Sequence, residues 1–185
     1  KTVCMVDGFF LWSMAGFSGQ TFAICGKTVV SLRRNIVANL RQWLGGILDI
    51  QEYPSQSRLV VSNGKGNQNT YYLFGGENES SYKLIQGITL AGVLLDEAAL
   101  MPRSFVEQAC ARCSVAGSKL WFNCNPAGPE HWFYKEWILK SREKNVLQLH
   151  FTMADNPGLD PEIRKRYEVL YTGVFYRRYI LGQWC

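Results

Sequence analysis

The chain has 185 residues, of which 47% are hydrophobic and 19% charged. That balance excludes a disordered or low-complexity segment, and the length suffices to bury a core without disulfide or metal support, so one α/β domain over 1–185 is the simplest organisation. Twenty Lys and Arg against fifteen Asp and Glu leave a net charge of +5, a bias toward polyanionic partners such as nucleic acid.

The sequence opens on Lys1 in place of an initiator Met, as an interior piece of a longer polypeptide would. Residues Thr2 to Phe17 are apolar around a single acid, Asp7. A signal peptide or membrane span is excluded, because the stretch is short, carries that acid in its middle and runs straight into strand-like Gln20 to Cys25. A buried helix followed by a buried strand is expected. From Val29 to Leu44 the apolar residues Val29, Leu32, Ile36, Val37, Leu40, Trp43 and Leu44 recur at helical spacing, with Thr28 as N-cap and Gly45-Gly46 as the stop. Arg33, Arg34 and Arg41 fall mostly off that stripe, on a solvated face. Two strand-like runs, Arg58 to Ser62 and Thr70 to Phe74, flank the glycine-rich connection Asn63-Gly64-Lys65-Gly66-Asn67 and predict a hairpin.

A short helix near Tyr82 to Gln86 precedes a strand from Thr89 to Leu95, and Pro102 opens a helix that continues over Ser104 to Cys113. A strand Lys119 to Asn123 then leads into Cys124-Asn125-Pro126-Ala127-Gly128-Pro129. Beyond it, a helix from Glu130 to about Lys140, a strand from Val146 to Thr152, a helix starting at Asp160-Pro161-Glu162 and a last helical segment from Gly173 to Leu181 are predicted. Alternating strands and helices predict a three-layer α/β fold with a mainly parallel sheet. The six cysteines, Cys4, Cys25, Cys110, Cys113, Cys124 and Cys185, have no framework spacing, which points to free thiols in a reducing, intracellular compartment. Cys110-Ala-Arg-Cys113 has neither the second CxxC nor the His pair that zinc needs, and it opens no thioredoxin-like βαβ pattern.

The chemistry concentrates at Gly92-Val93-Leu94-Leu95-Asp96-Glu97. A buried strand that ends in two adjacent carboxylates delivers them to the rim of a sheet, where open α/β folds bind ligands. This is the pattern of a Walker B motif, in which the first acid, Asp96, holds Mg²⁺ and the second, Glu97, polarises the water that attacks a γ-phosphate. A core strand feeding a helix N-terminus, where acids are favoured by the dipole, gives the same residues a purely structural role. A nucleotide site also needs a phosphate loop. Gly26-Lys27-Thr28 is a decoy, since Thr21 stands where the first glycine is required. Lys1-Thr2 opens an apolar helix as the last two positions of such a loop do, with Lys1 for the phosphates and Thr2 for Mg²⁺; a chance boundary would produce the same pair. Asn123 and Asn125, one strand downstream of the acids, suit a γ-phosphate sensor or an Asn-Pro turn that caps the next helix.

Taken together, Leu94-Leu95-Asp96-Glu97-Ala98, Phe122-Asn123-Cys124-Asn125-Pro126 with His131-Trp132-Phe133-Tyr134, Thr152-Met153-Ala154-Asp155-Asn156-Pro157 and Tyr179-Ile180-Leu181-Gly182-Gln183-Trp184 resemble, in words and order, the large terminase subunit of tailed bacteriophages and prophages. The resemblance covers nearly the whole chain, including Thr28, Ser31, Leu32 and Arg33. It implies a P-loop NTPase fold of the ASCE type and an ATPase motor that packages DNA, with the separate nuclease domain outside 1–185 and most of Walker A upstream of Lys1. By resemblance Lys1 and Thr2 end Walker A, Asp96 binds Mg²⁺, Glu97 is the catalytic glutamate, and the loop from Asn123 through Asn125 to Pro126 couples hydrolysis to movement. ATP would be the substrate and Mg²⁺ the cofactor. Double-stranded DNA, the portal protein of the procapsid, the terminase small subunit and further copies in a ring would be the partners, in the cytoplasm of the bacterial host and away from any membrane. Without most of Walker A, this stretch alone is expected to bind ATP poorly. Gly26 departs from a common Arg, and Gln183 from a common acid. Arg103, Arg177 and Arg178 are candidate arginine fingers, with surface pairing as their alternative role. A helicase of the same ATPase class and a degenerate, non-hydrolysing docking module are the competing functions.

Overall fold

Six strands form one sheet in the computed structural model, which describes residues 1–185: β1 (Thr21–Gly26), β2 (Leu48–Tyr53), β3 (Arg58–Asn63), β4 (Gln68–Gly75), β5 (Gly92–Leu95) and β6 (Lys119–Phe122). Their spatial order is β2-β3-β4-β1-β5-β6. β1 runs parallel to both β4 and β5, and β5 parallel to β6, whereas the β2-β3-β4 meander is antiparallel. The sheet is therefore mostly parallel. Its central strands read as continuous apolar runs because both faces are covered: Phe22 to Cys25 and Gly92 to Leu95 are all buried. The meander strands alternate instead, with Leu59 and Val61 of β3 and Tyr71 and Leu73 of β4 turned inward.

One face is covered by α1 (Thr2–Gly16) and by the segment 29–44. Phe9, Phe10 and Met14 of α1 share a cluster with Leu32, Ile36 and Leu40 and with Phe22, Ile24, Tyr71 and Leu94 of the sheet. The other face receives α4 (Arg103–Ala111), which buries Phe105, Val106 and Ala109. Side chains alternate along a strand, so Cys25 faces away from the partners of Ile24, and the thiols of Cys110 and Cys113 stand in its surroundings. The result is helix, sheet, helix.

The segment 29–44 is helical throughout but not uniform. It consists of α2 (Val29–Leu32), a π-helical turn (Arg33–Val37) and α3 (Ala38–Leu44). Thr28 caps it reciprocally with Ser31: the Ser31 amide donates to Thr28 Oγ1 at 2.9 Å and the Thr28 amide to Ser31 Oγ at 3.3 Å. Arg33 leaves the apolar stripe to pair with Glu52 at 3.2 Å and to donate to the Pro54 carbonyl at 2.6 Å.

A buried polar network fixes the C-terminal end of α1 to β4. Asn69 Nδ2 donates to the carbonyl of Phe17 at 2.9 Å and that of Ser13 at 3.3 Å, while its Oδ1 accepts from the Gln20 amide at 2.9 Å. Ser13 Oγ lies 2.6 Å from the Tyr71 hydroxyl and donates to the Phe10 carbonyl at 3.0 Å. Further along, α1 sits close on β5: a Cβ at Gly92 would stand 2.8 Å from Trp12 Cη2.

Residues Cys124–Cys185 form a second compact unit, distinct from Lys1–Asn123. It contains α5 (Pro161–Leu170) and α6 (Gly173–Tyr179), both at their expected places, and Asp160 caps α5 by accepting from the Glu162 amide at 2.8 Å. Trp184 stacks on Tyr134 with ring centroids 5.1 Å apart. One expected element is shortened here and another does not form. The helix from Glu130 to about Lys140 is a short stretch whose regular part is the π-helical turn Tyr134–Ile138, followed by turns up to Asn145, which adopts a left-handed φ of 53°. The strand Val146 to Thr152 does not form. Its alternating Leu147, Leu149 and Phe151 are 83%, 67% and 45% exposed, and no ladder takes up their backbone. A period of two marks a strand only where a neighbouring strand supplies the hydrogen bonds. Conversely β2, an edge strand with the burial pattern of strict alternation over Leu48 to Ile50, was not among the predicted elements.

Candidate nucleotide site

Three parallel strands end on one edge of the sheet, and each delivers or adjoins a polar residue there. β1 ends at Gly26, β5 passes into Asp96 and Glu97, and β6 passes into Asn123. The Asp96 amide continues the ladder by donating to the Cys25 carbonyl at 2.8 Å, and the Asn123 amide donates to the Leu95 carbonyl at 3.0 Å. Asp96 and Asn123 are thus held by sheet backbone.

The N-terminus of α1 reaches the same place from the other end of the sequence. Asn123 Nδ2 donates to Thr2 Oγ1 at 2.8 Å and to Asp96 Oδ1 at 2.8 Å, joining residues 121 and 27 positions apart. Asp96 and Asn123 are each only 7% exposed. The Asp96 carboxyl is raised above the ordinary aspartate range, first by burial and then by the neighbouring Glu97 carboxylate; the Asn123 amide and the Lys1 charge pull it back. Lys1 therefore acts electrostatically on Asp96. α1 begins at Thr2, whose hydroxyl meets Asn123, so the positive end of this 15-residue helix lies beside the same edge.

Glu97 departs from regular backbone. Its φ of 57° and ψ of 44° are left-handed, a conformation that costs a β-carbon-bearing residue about 1–2 kcal/mol. The turn is held by the Ala98 amide, which donates to the Asn123 carbonyl at 2.8 Å, and by the 3₁₀ turn Ala98–Leu100 that follows. Strain of this kind is tolerated where the surroundings fix it, commonly at reacting sites.

Of the residues singled out in the sequence, Lys1, Thr2, Asp96, Glu97 and Asn123 gather at this edge. Asn125 is exposed and belongs to the second unit. Gly26-Lys27-Thr28 is used otherwise: Thr28 Oγ1 caps α2, and Lys27 Nζ donates to the Glu77 carbonyl at 2.7 Å. The glycine at 26 has a packing reason, since a Cβ there would lie 2.7 Å from Leu32 Cδ2. Arg103 pairs with Glu107 at 2.6 Å, Arg177 Nε donates to Gln183 Oε1 at 3.1 Å, and Arg178 Nε donates to the Cys185 carbonyl at 2.8 Å. Gln183 thus has a local partner in place of the common acid. Sequence reasoning missed the Ser13, Asn69 and Tyr71 anchor of α1; a polar Asn69 at an inward position of an alternating strand was the available signal.

A carboxylate and a hydroxyl meeting at one amide offer two hard oxygens, the donor set that suits Mg²⁺ completed by phosphate and water. No three His, Cys, Asp or Glu side chains converge to form an all-protein metal cage. No helix is long and apolar enough to cross a membrane.

No curated protein matches the chain. Among solved structures, it resembles the large terminase from a thermophilic bacteriophage, with 52% identity and a TM-score of 0.94 over 100% of this chain and 45% of that one. A second structure of the same phage protein, in complex with ATP-gamma-S, matches at 50% identity and a TM-score of 0.92 over 100% of this chain and 44% of that one. The large terminase ATPase domain of Thermus phage P74-26 shares the fold, with a TM-score of 0.64 at 17% identity over 98% of this chain and 82% of that one. The sheet and its helices are those of a P-loop NTPase, and the chain spans under half the length of the thermophilic-phage terminase. The family model for the terminase large subunit, T4likevirus-type, N-terminal, matches residues 10–185, and the chain belongs to that family.

Proposed function

We propose that this chain carries the ATPase of a phage packaging motor, in which Mg²⁺-dependent ATP hydrolysis drives double-stranded viral DNA into a procapsid. The observation that carries this reading is the convergence of Thr2, Asp96 and Asn123 at the N-terminal end of α1. The thermophilic-phage terminase complex with ATP-gamma-S, at 50% identity over the whole of this chain, supports the same nucleotide.

Each side chain then has a role set by its chemistry. The first amides of α1 and the Lys1 ammonium bind phosphate oxygens. Thr2 Oγ1 and Asp96 would hold Mg²⁺, which when bound neutralises charge on the phosphates. Burial raises the Asp96 carboxyl, and a bound cation would offset that cost by favouring its ionised form. Glu97, fixed by its left-handed turn, orients and polarises the attacking water. Asn123 senses the γ-phosphate, and the loop from Asn123 to Pro126 couples hydrolysis to movement. Portal protein, terminase small subunit and further copies in a ring are the partners such a motor requires, in the cytoplasm of the bacterial host. The experiment is ATP binding and turnover by Glu97→Gln in the full-length protein that contains this chain. Retained binding with lost turnover supports the assignment, and normal turnover overturns it.

A further inference from the structure

We infer that the side-chain amide of Asn123 holds the place of the divalent cation between Thr2 and Asp96, and that it is displaced when the cation binds. This rests on the nucleotide site proposed above. A primary amide nitrogen carries two hydrogens, and here both are committed, one to Thr2 Oγ1 at 2.8 Å and one to Asp96 Oδ1 at 2.8 Å. The nitrogen therefore lies between the two oxygens assigned to the cation. Its orientation is set by chemistry, since a carboxylate accepts and only the NH₂ end of the amide can donate.

An amide N–H offers no lone pair to Mg²⁺, whose ligands are oxygens at roughly 2.0–2.1 Å. A cation bridging Thr2 and Asp96 needs the volume the nitrogen fills. The arrangement has a clear purpose without a cation: a carboxylate only 7% exposed is costly unless a donor meets it. The main chain cannot easily move aside, because the Asn123 amide and carbonyl are tied to Leu95 and Ala98 at 3.0 and 2.8 Å. Displacement is then a side-chain rotation. Two consequences follow: cation affinity is lowered by the two hydrogen bonds that must break, and the Asn123 side chain reports cation loading.

The test uses Mn²⁺ in place of Mg²⁺, with binding in the presence of ATP-gamma-S read by electron paramagnetic resonance for the full-length protein that contains this chain and for its Asn123→Ala variant, which vacates the volume and removes both donors. Tighter Mn²⁺ binding by the variant, by about tenfold, is expected from losing one charge-assisted and one neutral hydrogen bond. Equal or weaker binding by a folded variant, with the unsubstituted full-length protein binding Mn²⁺, overturns the placeholder and leaves the nucleotide site standing. No Mn²⁺ binding by the unsubstituted full-length protein overturns both. If Asn123→Ala does not fold, the Asn123 side-chain amide resonances of the unsubstituted full-length protein decide. They are expected to shift when Mg²⁺ is added to protein already holding ATP-gamma-S, beyond any shift that the nucleotide alone produces; resonances unmoved by Mg²⁺ overturn the inference.

Discussion

Gly92→Ala probes how closely α1 is seated on the strand that carries the two carboxylates. The added methyl would lie 2.8 Å from Trp12 Cη2, 2.9 Å from Trp12 Cζ3 and 3.2 Å from the Lys119 carbonyl. Neither neighbour gives way easily. The Trp12 ring is hemmed in by Phe9, Phe17, Phe22 and Trp121 at centroid distances of 5.9, 5.4, 5.9 and 5.9 Å, and the carbonyl belongs to the β6 backbone. Overpacking of this kind costs about 1–3 kcal/mol, against a gain of about 0.4–1 kcal/mol from restricting the unfolded chain. The net loss of about 1–2 kcal/mol corresponds to a Tm lower by about 2–8 °C for a protein of this size. Thermal melting followed by circular dichroism measures it, with Gly46→Ala as control, because a Cβ at Gly46 meets nothing within 4 Å. A Gly92→Ala protein that melts at or above the unsubstituted temperature would refute the close packing of α1 on β5.

Two further outcomes test the α1 environment. Asp7 is raised above the ordinary carboxyl range by burial, and its Oδ1 is buried without a hydrogen-bond partner. A raised folded value means that stability falls as pH rises from the unfolded value, about 3.9, through the folded one. Asp7→Asn is therefore expected to raise Tm at pH 7, with the gain shrinking to nothing below about pH 3.9; a constant gain at all pH values contradicts the titration. Asn69→Leu strips the donors from the Ser13 and Phe17 carbonyls and the acceptor from the Gln20 amide, which at about 1–3 kcal/mol per buried orphan predicts a loss of several kcal/mol by urea denaturation. A loss below about 1 kcal/mol would mean that α1 is held by its apolar face alone.

The parallel core was legible because its strands are buried on both faces and announce themselves as apolar runs, as Val93-Leu94-Leu95 does before Asp96. The hairpin around Asn63 to Asn67 and the caps at Thr28 and Asp160 were legible because local chemistry decides them. The meeting of Thr2, Asp96 and Asn123 was suggested by motif chemistry and strengthened by family resemblance, while no local spacing relates residues so far apart. The strand predicted at Val146 to Thr152 failed for a matching reason: alternation describes one chain, whereas a strand is a property of two. The π-helical turns Arg33–Val37 and Tyr134–Ile138 carry no period that separates them from an α-helix.

The most direct measurement is paired ATP binding and ATP turnover by Glu97→Gln in the full-length protein that contains this chain. The substitution keeps the size of the side chain and removes its ability to take a proton, leaving Thr2, Asp96 and the start of α1 untouched. Nucleotide affinity within a few-fold of the unsubstituted protein, with turnover down by at least about 10²-fold, is the expected result for loss of the general base. Turnover at the unsubstituted rate would place the chemistry somewhere other than the edge where Asp96 and Glu97 leave the sheet.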